Sequence, residues 1–372
     1  MIEKLVLKNF KIHENLELNL GGLTILTGQN GMGKSSVFQS MLMLRQSYTA
    51  GTPMRGINLK GNLVDLGCAD DVECQSSSDG EIAVNLTLES GENLNFSCAA
   101  SDDPNDTYLS LNTAPPNSSD IEKCALFTNM FQYISAFRFG PQKGYERDTE
   151  VVQYQGQISK ISGQCEYAVH FLYHYGKKIQ CTPDLVIGDN TDATLATQVE
   201  LWLKAVSPNI NINIVPQGTD FKLNYKFTRE GEATTTPMSA TNVGYGITYV
   251  LPILVAIISA KPGAIILIEN PEAHIHPGAQ AQLMKLITKA VKSGIQILIE
   301  THSDHIINGA LVALSQDKPF ASAVKAYYFD RDEVKHVCIP TKLEILNDGR
   351  IKNPPKGFFD QIDIDMRTLM GF

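Results

Sequence analysis

The sequence predicts an α/β fold built on a mostly parallel, buried sheet, and three observations carry that expectation. From residue 239 onward the pattern runs helix, strand (264–269), helix (278–292), strand (295–300), helix (303–315), strand (324–329). These strands are apolar throughout instead of alternating, which is how strands covered by helices on both faces read. Near the start, a short apolar strand at 23–27 runs through a glycine-rich loop into a helical pattern at 33–46, with Val37, Met41, Leu42 and Leu44 at helical spacing.

The other elements follow from simpler patterns. Residues 2–10 and 14–20 alternate apolar and polar side chains, the mark of strands with one buried face. Residues 50–150 are rich in Ser, Asn, Asp, Gly and Pro, with strand-like runs at 81–88 and 93–98. Segment 101–119 reads as a loop excursion. A strand is expected at 133–138, stopped by Gly140-Pro141, and an amphipathic helix at 193–206 around Trp202. Strands 210–215 and 221–228 are joined by Pro216-Gln217-Gly218. No heptad run is long enough for a coiled-coil arm. The organisation expected is one composite unit: a core from 1–60 and 235–335, a β-rich and helical insertion at 61–234, and a C-terminal strand and tail at 336–372.

Composition narrows the function classes. The chain has 372 residues, 43% hydrophobic and 19% charged, with a net charge of −9. No global positive field draws it to nucleic acid or anionic lipid, although a local basic face leaves a nucleic-acid partner open. The seven cysteines are scattered and form no Cys-x-x-Cys, which argues against a disulfide scaffold or zinc ribbon and fits a cytoplasmic protein. The opening Met1-Ile2-Glu3-Lys4-Leu5 lacks the apolar run of a signal peptide. Segment 243–260 is almost wholly apolar but holds Gly244, Gly246 and Pro252. It falls short of the roughly 20 residues a bilayer requires, so it reads as a buried helix feeding a buried strand, with no membrane partner.

The chemistry begins at Gly28-Gln29-Asn30-Gly31-Met32-Gly33-Lys34-Ser35, a Gly-x-x-x-x-Gly-Lys-Ser loop between an apolar strand and a helix. The glycines let backbone N–H groups turn toward phosphate oxygens, and the helix N-terminus adds partial positive charge. Lys34 is expected to reach the β- and γ-phosphates of ATP, and the Ser35 hydroxyl to ligate Mg²⁺. A second feature is the strand 264–269, which ends in Glu269 and runs into Asn270-Pro271-Glu272-Ala273-His274-Ile275-His276-Pro277. A carboxylate there is expected on the magnesium side of the phosphate loop. A third is Ile295-Gln296-Ile297-Leu298-Ile299-Glu300, which leads into Thr301-His302-Ser303. A histidine at that strand end is placed to sense the γ-phosphate, while Ser303 suits a helix N-cap. The His274-x-His276 pair has no cysteine or carboxylate cluster to close a zinc site.

With these residues in place the chain resembles the RecF/SMC/OLD branch of ABC-type ATPases. The resemblance lies in Leu5-x-x-x-Asn9-Phe10-Lys11-x-His13, in the phosphate loop with its following Ser36, in Leu267 to Pro277, and in Glu300-Thr301-His302-Ser303. It implies a P-loop NTPase head with a mixed sheet and an antiparallel β subdomain. It also implies a head-to-tail homodimer, open to higher assembly, that sandwiches ATP. Lys11, Gln29, Asn30, Gly31, Gly33, Lys34, Ser35 and Ser36 would bind the nucleotide, with Ser35 and Glu269 on the metal. Glu269, Glu272 and His302 would serve hydrolysis. The usual Leu-Ser-Gly-Gly signature is absent. Its counterpart is read at 239–246, where Asn242, Gly244 and Gly246 would cap the partner's ATP. Arg138 and Gln142 are read either as neighbours of the site or, the favoured reading, as a solvated loop end.

One departure stands out. Relatives carry Asp-Glu at the end of the second strand, whereas this chain has Glu269-Asn270. An amide cannot accept a proton as a carboxylate does. Either Glu269 or Glu272 positions the water, or turnover is slow. The tail from Gly349 to Asp360 resembles a group of bacterial ATPases of phage-defence gene sets, often beside a nuclease. That suggests a switch acting on a separate effector. Asp360, Asp363 and Asp365 near the end are read as a solvated tail, not as a nuclease site. The competing function is a RecF-like ATPase that clamps DNA in repair, which needs a basic face on the dimer.

Overall fold

The structure is a computed structural model. It describes the chain except residues 52–53, 78–79, 100, 190, 229–233, 333, 347, 356, 359–360 and 371–372, and the side chains of 318–319 and 361–364. In chain order the main elements are β1 (Ile2–Phe10), β2 (His13–Asn19), β3 (Leu23–Gly28), α1 (Lys34–Thr49), β4 (Ile82–Leu88), β5 (Asn93–Cys98) and β6 (Phe131–Ile134). Then come α2 (Ala168–Tyr175), α3 (Leu195–Val206), β7 (Ile210–Gln217), β8 (Asp220–Phe227), α4 (Tyr245–Ser259) and β9 (Ile265–Glu269). Last are α5 (Pro277–Lys292), β10 (Gln296–Glu300), α6 (Asp304–Gln316), β11 (Val324–Arg331) and β12 (Cys338–Lys342).

The central sheet has six strands in the order β12-β11-β3-β10-β9-β6. Five are parallel and only the edge strand β12 is antiparallel to its neighbour. The sheet is therefore mixed, as expected. β1, β2, β4 and β5 form a separate antiparallel sheet, and β7 and β8 a third with the short strands Tyr145–Glu146 and Met238–Ser239. The stretch 61–234 thus supplies strands to all three sheets.

Alternate residues of the central strands feed two cores. Ile266 and Ile268 of β9 pack with α3, α4 and α5, while Ile265 and Leu267 face α1 and the first sheet. Burial on both faces explains why these strands read as unbroken apolar runs. Gln296, itself buried, joins the two sheets: its Oε1 accepts from Ile2 N at 2.9 Å and its Nε2 donates to Ile2 O at 2.7 Å and Gly21 O at 3.0 Å.

The apolar run 243–260 is the 15-residue helix α4, sunk in the core and feeding β9. Among the described residues no helix is long and apolar enough to cross a membrane. Two expectations are corrected. β6 covers Phe131–Ile134, not 133–138, because Ser135 to Arg138 leave the sheet in a turn closed by Arg138 N donating to Ser135 O at 3.2 Å. The loop 101–119 contains a strand, Tyr108–Ser110, paired with Gly56–Asn58. At the C-terminus, Gln361–Met370 is a helix with Asp365 exposed. Phe359, Asp360 and the Asp363 side chain lie outside the described residues.

Candidate active site

The phosphate loop is shaped by contacts only glycine permits. At Gly28, φ is +133°, and a Cβ would lie 2.3 Å from Phe329 O on the neighbouring β11. At Gly33, φ is +87°, and a Cβ would lie 2.6 Å from Ile12 Cγ2 and 2.8 Å from His13 Cε1. The chain can therefore turn into α1 hard against the β1–β2 hairpin. Helix α1 starts at Lys34, and its first turn has no acidic side chain of its own, so no carboxylate within the helix caps its N-terminal amides.

His13 braces this turn. Its Nε2 lies 2.9 Å from Gly33 O. Burial drives the imidazole down to about 4, against the pull of the Gly33 carbonyl. It is therefore neutral at pH 7, and the acceptor at Gly33 assigns the ring hydrogen to Nε2. Nδ1 is left buried without a partner.

A cleft of about 390 Å³ opens over the loop. Lys11, Asn30, Gly31, Gly33, Lys34, Ser35 and Ser36 all line it, together with Gln39 and Glu300. The Gln29 side chain is exposed beside it. Lys34 is folded into the loop, its Nζ donating to Gly28 O at 3.0 Å and Gln29 O at 2.6 Å. Burial lowers its pKa while Glu300 pulls the other way. Lys11 Nζ donates to Gln39 Oε1 at 2.8 Å. Asn242, Gly244 and Gly246 do not line this cleft in their own chain. Gly244 is the N-cap of α4. A Cβ on Gly246 would lie 2.2 Å from His274 O, so glycine there lets α4 pack on the loop after β9.

The acidic residues occupy distinct places. Ser35 was expected to share the metal side with Glu269, but Ser35 Oγ donates to Glu300 Oε1 at 2.9 Å. The reason is strand order: β10 lies between β3 and β9, so the carboxylate beside the phosphate-loop strand belongs to β10. Glu300 is 5% exposed, and its Oε2 has no hydrogen-bond partner. Burial, then the in-register Glu269, push it up to about 7 against the help of Ser35 and Lys34. Glu269 is held by the end of β6: Tyr133 Oη donates to Oε1 at 2.9 Å, Ala136 N to Oε2 at 3.0 Å and Ser135 Oγ to Oε2 at 3.5 Å. Glu272 accepts from Thr301 Oγ1 at 2.8 Å and from His302 N at 2.9 Å. It thereby fixes the loop that carries His302 to the mouth of the site. The His302 imidazole is held below its ordinary pKa by burial and then by Lys34. Ser303 caps α6 as expected, accepting from His305 N and Ile306 N.

Asn270 acts through its backbone. Its φ is +44°, a left-handed conformation asparagine tolerates. Its N–H donates to Glu300 O at 2.8 Å. Arg138, read as a solvated loop end, is instead 2% exposed. Its guanidinium donates to Ser135 O, Tyr249 O, Glu269 O and Asn270 O, at 2.9 to 3.1 Å. It thus ties α4 to the end of β9, whereas Gln142 is exposed. Sequence reasoning missed Glu300, His13 and Tyr133 as site residues. The signal for Glu300 was present, since β10 repeats the Ile-Leu-Ile-Glu ending type of β9.

Residues 4–168 match the model of an AAA domain, and residues 186–307 that of an AAA ATPase domain. Residues 321–369 match a family described as a protein of unknown function, DUF3696. No curated protein is significantly similar to the chain. Among solved structures, the chain is similar to an Smc head bound to the C-winged-helix domain of ScpA: 15% identity over 92% of this chain and 97% of that one, TM-score 0.53. It is also similar to the Smc head domain with an extended coiled coil, bound to the C-terminal domain of ScpA, from Pyrococcus furiosus. There the identity is 13% over 99% of this chain and 98% of that one, with a TM-score of 0.51. At such identities the likeness is one of fold, and the two AAA models add the nucleotide chemistry that the loop at 28–35 displays. The chain is an ATP-binding ATPase whose residues 4–168 and 186–307 match AAA domain models and whose fold is like that of an Smc head.

Proposed function

We propose that this ATPase is a slow, nucleotide-gated switch whose dimer closes on ATP and controls a separate effector. The observation that carries the site chemistry is the buried, unpartnered Glu300 Oε2 beside the Ser35 hydroxyl. A carboxylate oxygen and a serine hydroxyl next to a phosphate cradle suit Mg²⁺, which takes one or two protein oxygens and completes its shell with phosphate and water. Bound there, the metal would neutralise charge on the β- and γ-phosphates. Lys34 would hold the same phosphates, and the cleft lined by Lys11 and Ile12 that adjoins this one offers room for ribose and base.

Slow turnover is supported by the carboxylates. Glu269 and Glu272 each have both oxygens engaged by donors, and those hydrogen bonds stabilise each carboxylate as an anion and weaken it as a base toward water. Basal turnover of roughly 10 ATP per second or more would overturn the switch reading.

Closure is supported by two exposed apolar side chains, Phe137 after β6 and Tyr245 at the start of α4, 83% and 63% exposed. Large apolar groups left in water mark interaction surfaces. In a sandwich, Asn242, Gly244 and Gly246 of one subunit cap ATP on the other, and His302 reads the γ-phosphate. Light scattering on the purified protein tests this: ATP with Mg²⁺ doubles the mass of wild type but not of Lys34→Ala. One nucleotide-independent mass for both would sink it.

The output is assigned to a separate effector, a nuclease of a phage-defence set, on the resemblance of the tail. Cells expressing the protein with its neighbouring genes are expected to resist phage, and Lys34→Ala to abolish that. No protection by wild type would refute the assignment.

A further inference from the structure

A second cleft, of about 680 Å³, lies at the C-terminal end of α1. The phosphate loop is at the other end of this 16-residue helix, about 24 Å away at 1.5 Å per residue. The cleft walls are the last turns of α1, residues 58–63 and residues 155–160. Ser162 N donates to Asn62 O at 2.7 Å and ties the two loops together.

The lining is charged in one sense. Arg45, Lys60 and Lys160 line the cleft among amide and hydroxyl side chains, and no Asp or Glu among the described residues lines it. In a chain of 40 acidic and 31 basic residues that is a local inversion of sign. Lys160 shares its charge with Asp148 at 3.5 Å. Among the described residues Arg45 has no such neighbour. It is 7% exposed, stacks 4.5 Å over the Phe131 ring, and donates through Nη1 to two neutral acceptors, Leu126 O and Thr128 O. Burial pushes it down to about 10, with no nearby anion to oppose the shift.

A buried cation balanced only by carbonyls carries a desolvation cost that an anion would offset. At the end of α1, Ala50 N and Thr49 Oγ1 donate to Gln46 O, and Gly51 N donates to Tyr48 O, which reduces the negative potential of the helix C-terminus that the cations have to outweigh.

We propose that this cleft binds a small phosphate-bearing polyanion of nucleotide size, as a second ligand site at the far end of the phosphate-loop helix. The volume falls in the range of small-ligand sites, roughly 300–1,000 Å³. Arg45 supplies the fixed cation at the floor, Lys60 and Lys160 supply mobile ones at the rim, and Gln155 and Gln157 supply amide donors. The site is independent of the ATP cleft, so it stands even if the switch reading fails.

The test uses full-length Lys34→Ala protein, which weakens phosphate binding at the first site. Inorganic tripolyphosphate and ADP are titrated separately by calorimetry at low salt. One equivalent is expected to bind, more weakly as salt rises. Binding of both probes assigns recognition to the phosphate chain, and binding of ADP alone adds the base. Charge reversal, Lys60→Glu with Lys160→Glu in the same background, is expected to weaken binding at least tenfold. The neutral pair Lys60→Gln with Lys160→Gln is expected to weaken it less. Both lysines are exposed, so an unchanged melting temperature separates lost binding from lost fold. No binding to either probe at millimolar concentration, or less than a tenfold change on charge reversal, overturns the proposal.

Discussion

Two neighbouring strands end almost identically and do different things. β9 reads Ile-Ile-Leu-Ile-Glu and β10 reads Gln-Ile-Leu-Ile-Glu, and they pair in parallel register with Glu269 beside Glu300. Yet Glu269 is held by three donors from the end of β6, while Glu300 has one donor, Ser35, and one bare oxygen. The difference comes from the outer neighbours. β9 has β6 on its far side and β10 has the phosphate-loop strand. One carboxylate is built into the scaffold, and the other is left with unsatisfied acceptor capacity beside the phosphate loop.

The sharpest way to break this comparison is on the β10 side. Glu300→Ala is expected to lower ATP hydrolysis by roughly 1,000-fold, about 4 kcal/mol of transition-state stabilisation, with the melting temperature held or raised. An ATPase rate within tenfold of wild type would remove Glu300 from the proposed metal site.

The phosphate-loop side carries a second device, the neutral His13 under Gly33. Its folded pKa of about 4 lies below the ordinary 6.5, so the folded chain binds that proton less well than the unfolded chain. The resulting stability is complete above pH 6.5 and is lost as pH falls toward 4, up to about 3 kcal/mol. Chemical denaturation across that window should show a steeper loss for wild type than for His13→Gln. Parallel curves would mean the imidazole is not buried neutral.

On the β9 side the expected cost is to stability. Glu269→Gln turns an acceptor into a donor facing either Ala136 N or Tyr133 Oη. It should destabilise the fold by about 2 kcal/mol, read from the denaturation midpoint. If that variant melts like wild type but traps an ATP-bound dimer, the two carboxylates have exchanged roles. Tyr133→Phe removes one donor and is the mildest change, about 1 kcal/mol of stability, with hydrolysis altered less than tenfold. A larger loss of hydrolysis would make Glu269 a participant in the chemistry.

Much of this was legible in advance. The alternation of apolar strands and helices after residue 239 pointed to the parallel core because burial on both faces leaves its mark in local composition. The loop at 28–35 was legible because its spacing reflects a backbone shape only glycines allow. The buried state of Arg138 was not legible, since an arginine beside Phe137 and Gly140 looks the same in a solvated loop. Three of its four acceptors are main-chain carbonyls more than a hundred residues away in sequence, and carbonyls leave no residue-type signature. The strand at Tyr108–Ser110 was missed for a related reason. It is three residues long and is held by pairing with Gly56–Asn58, so local composition argued for a loop.

The sequence by itself determined the fold class, the phosphate loop and the set of carboxylates available at the strand ends, because period, spacing and residue type are local properties. Only the tertiary structure decided which carboxylate meets Ser35. That choice depends on strand order, and strand order is set by long-range packing of β10 between β3 and β9, which no window of the chain contains.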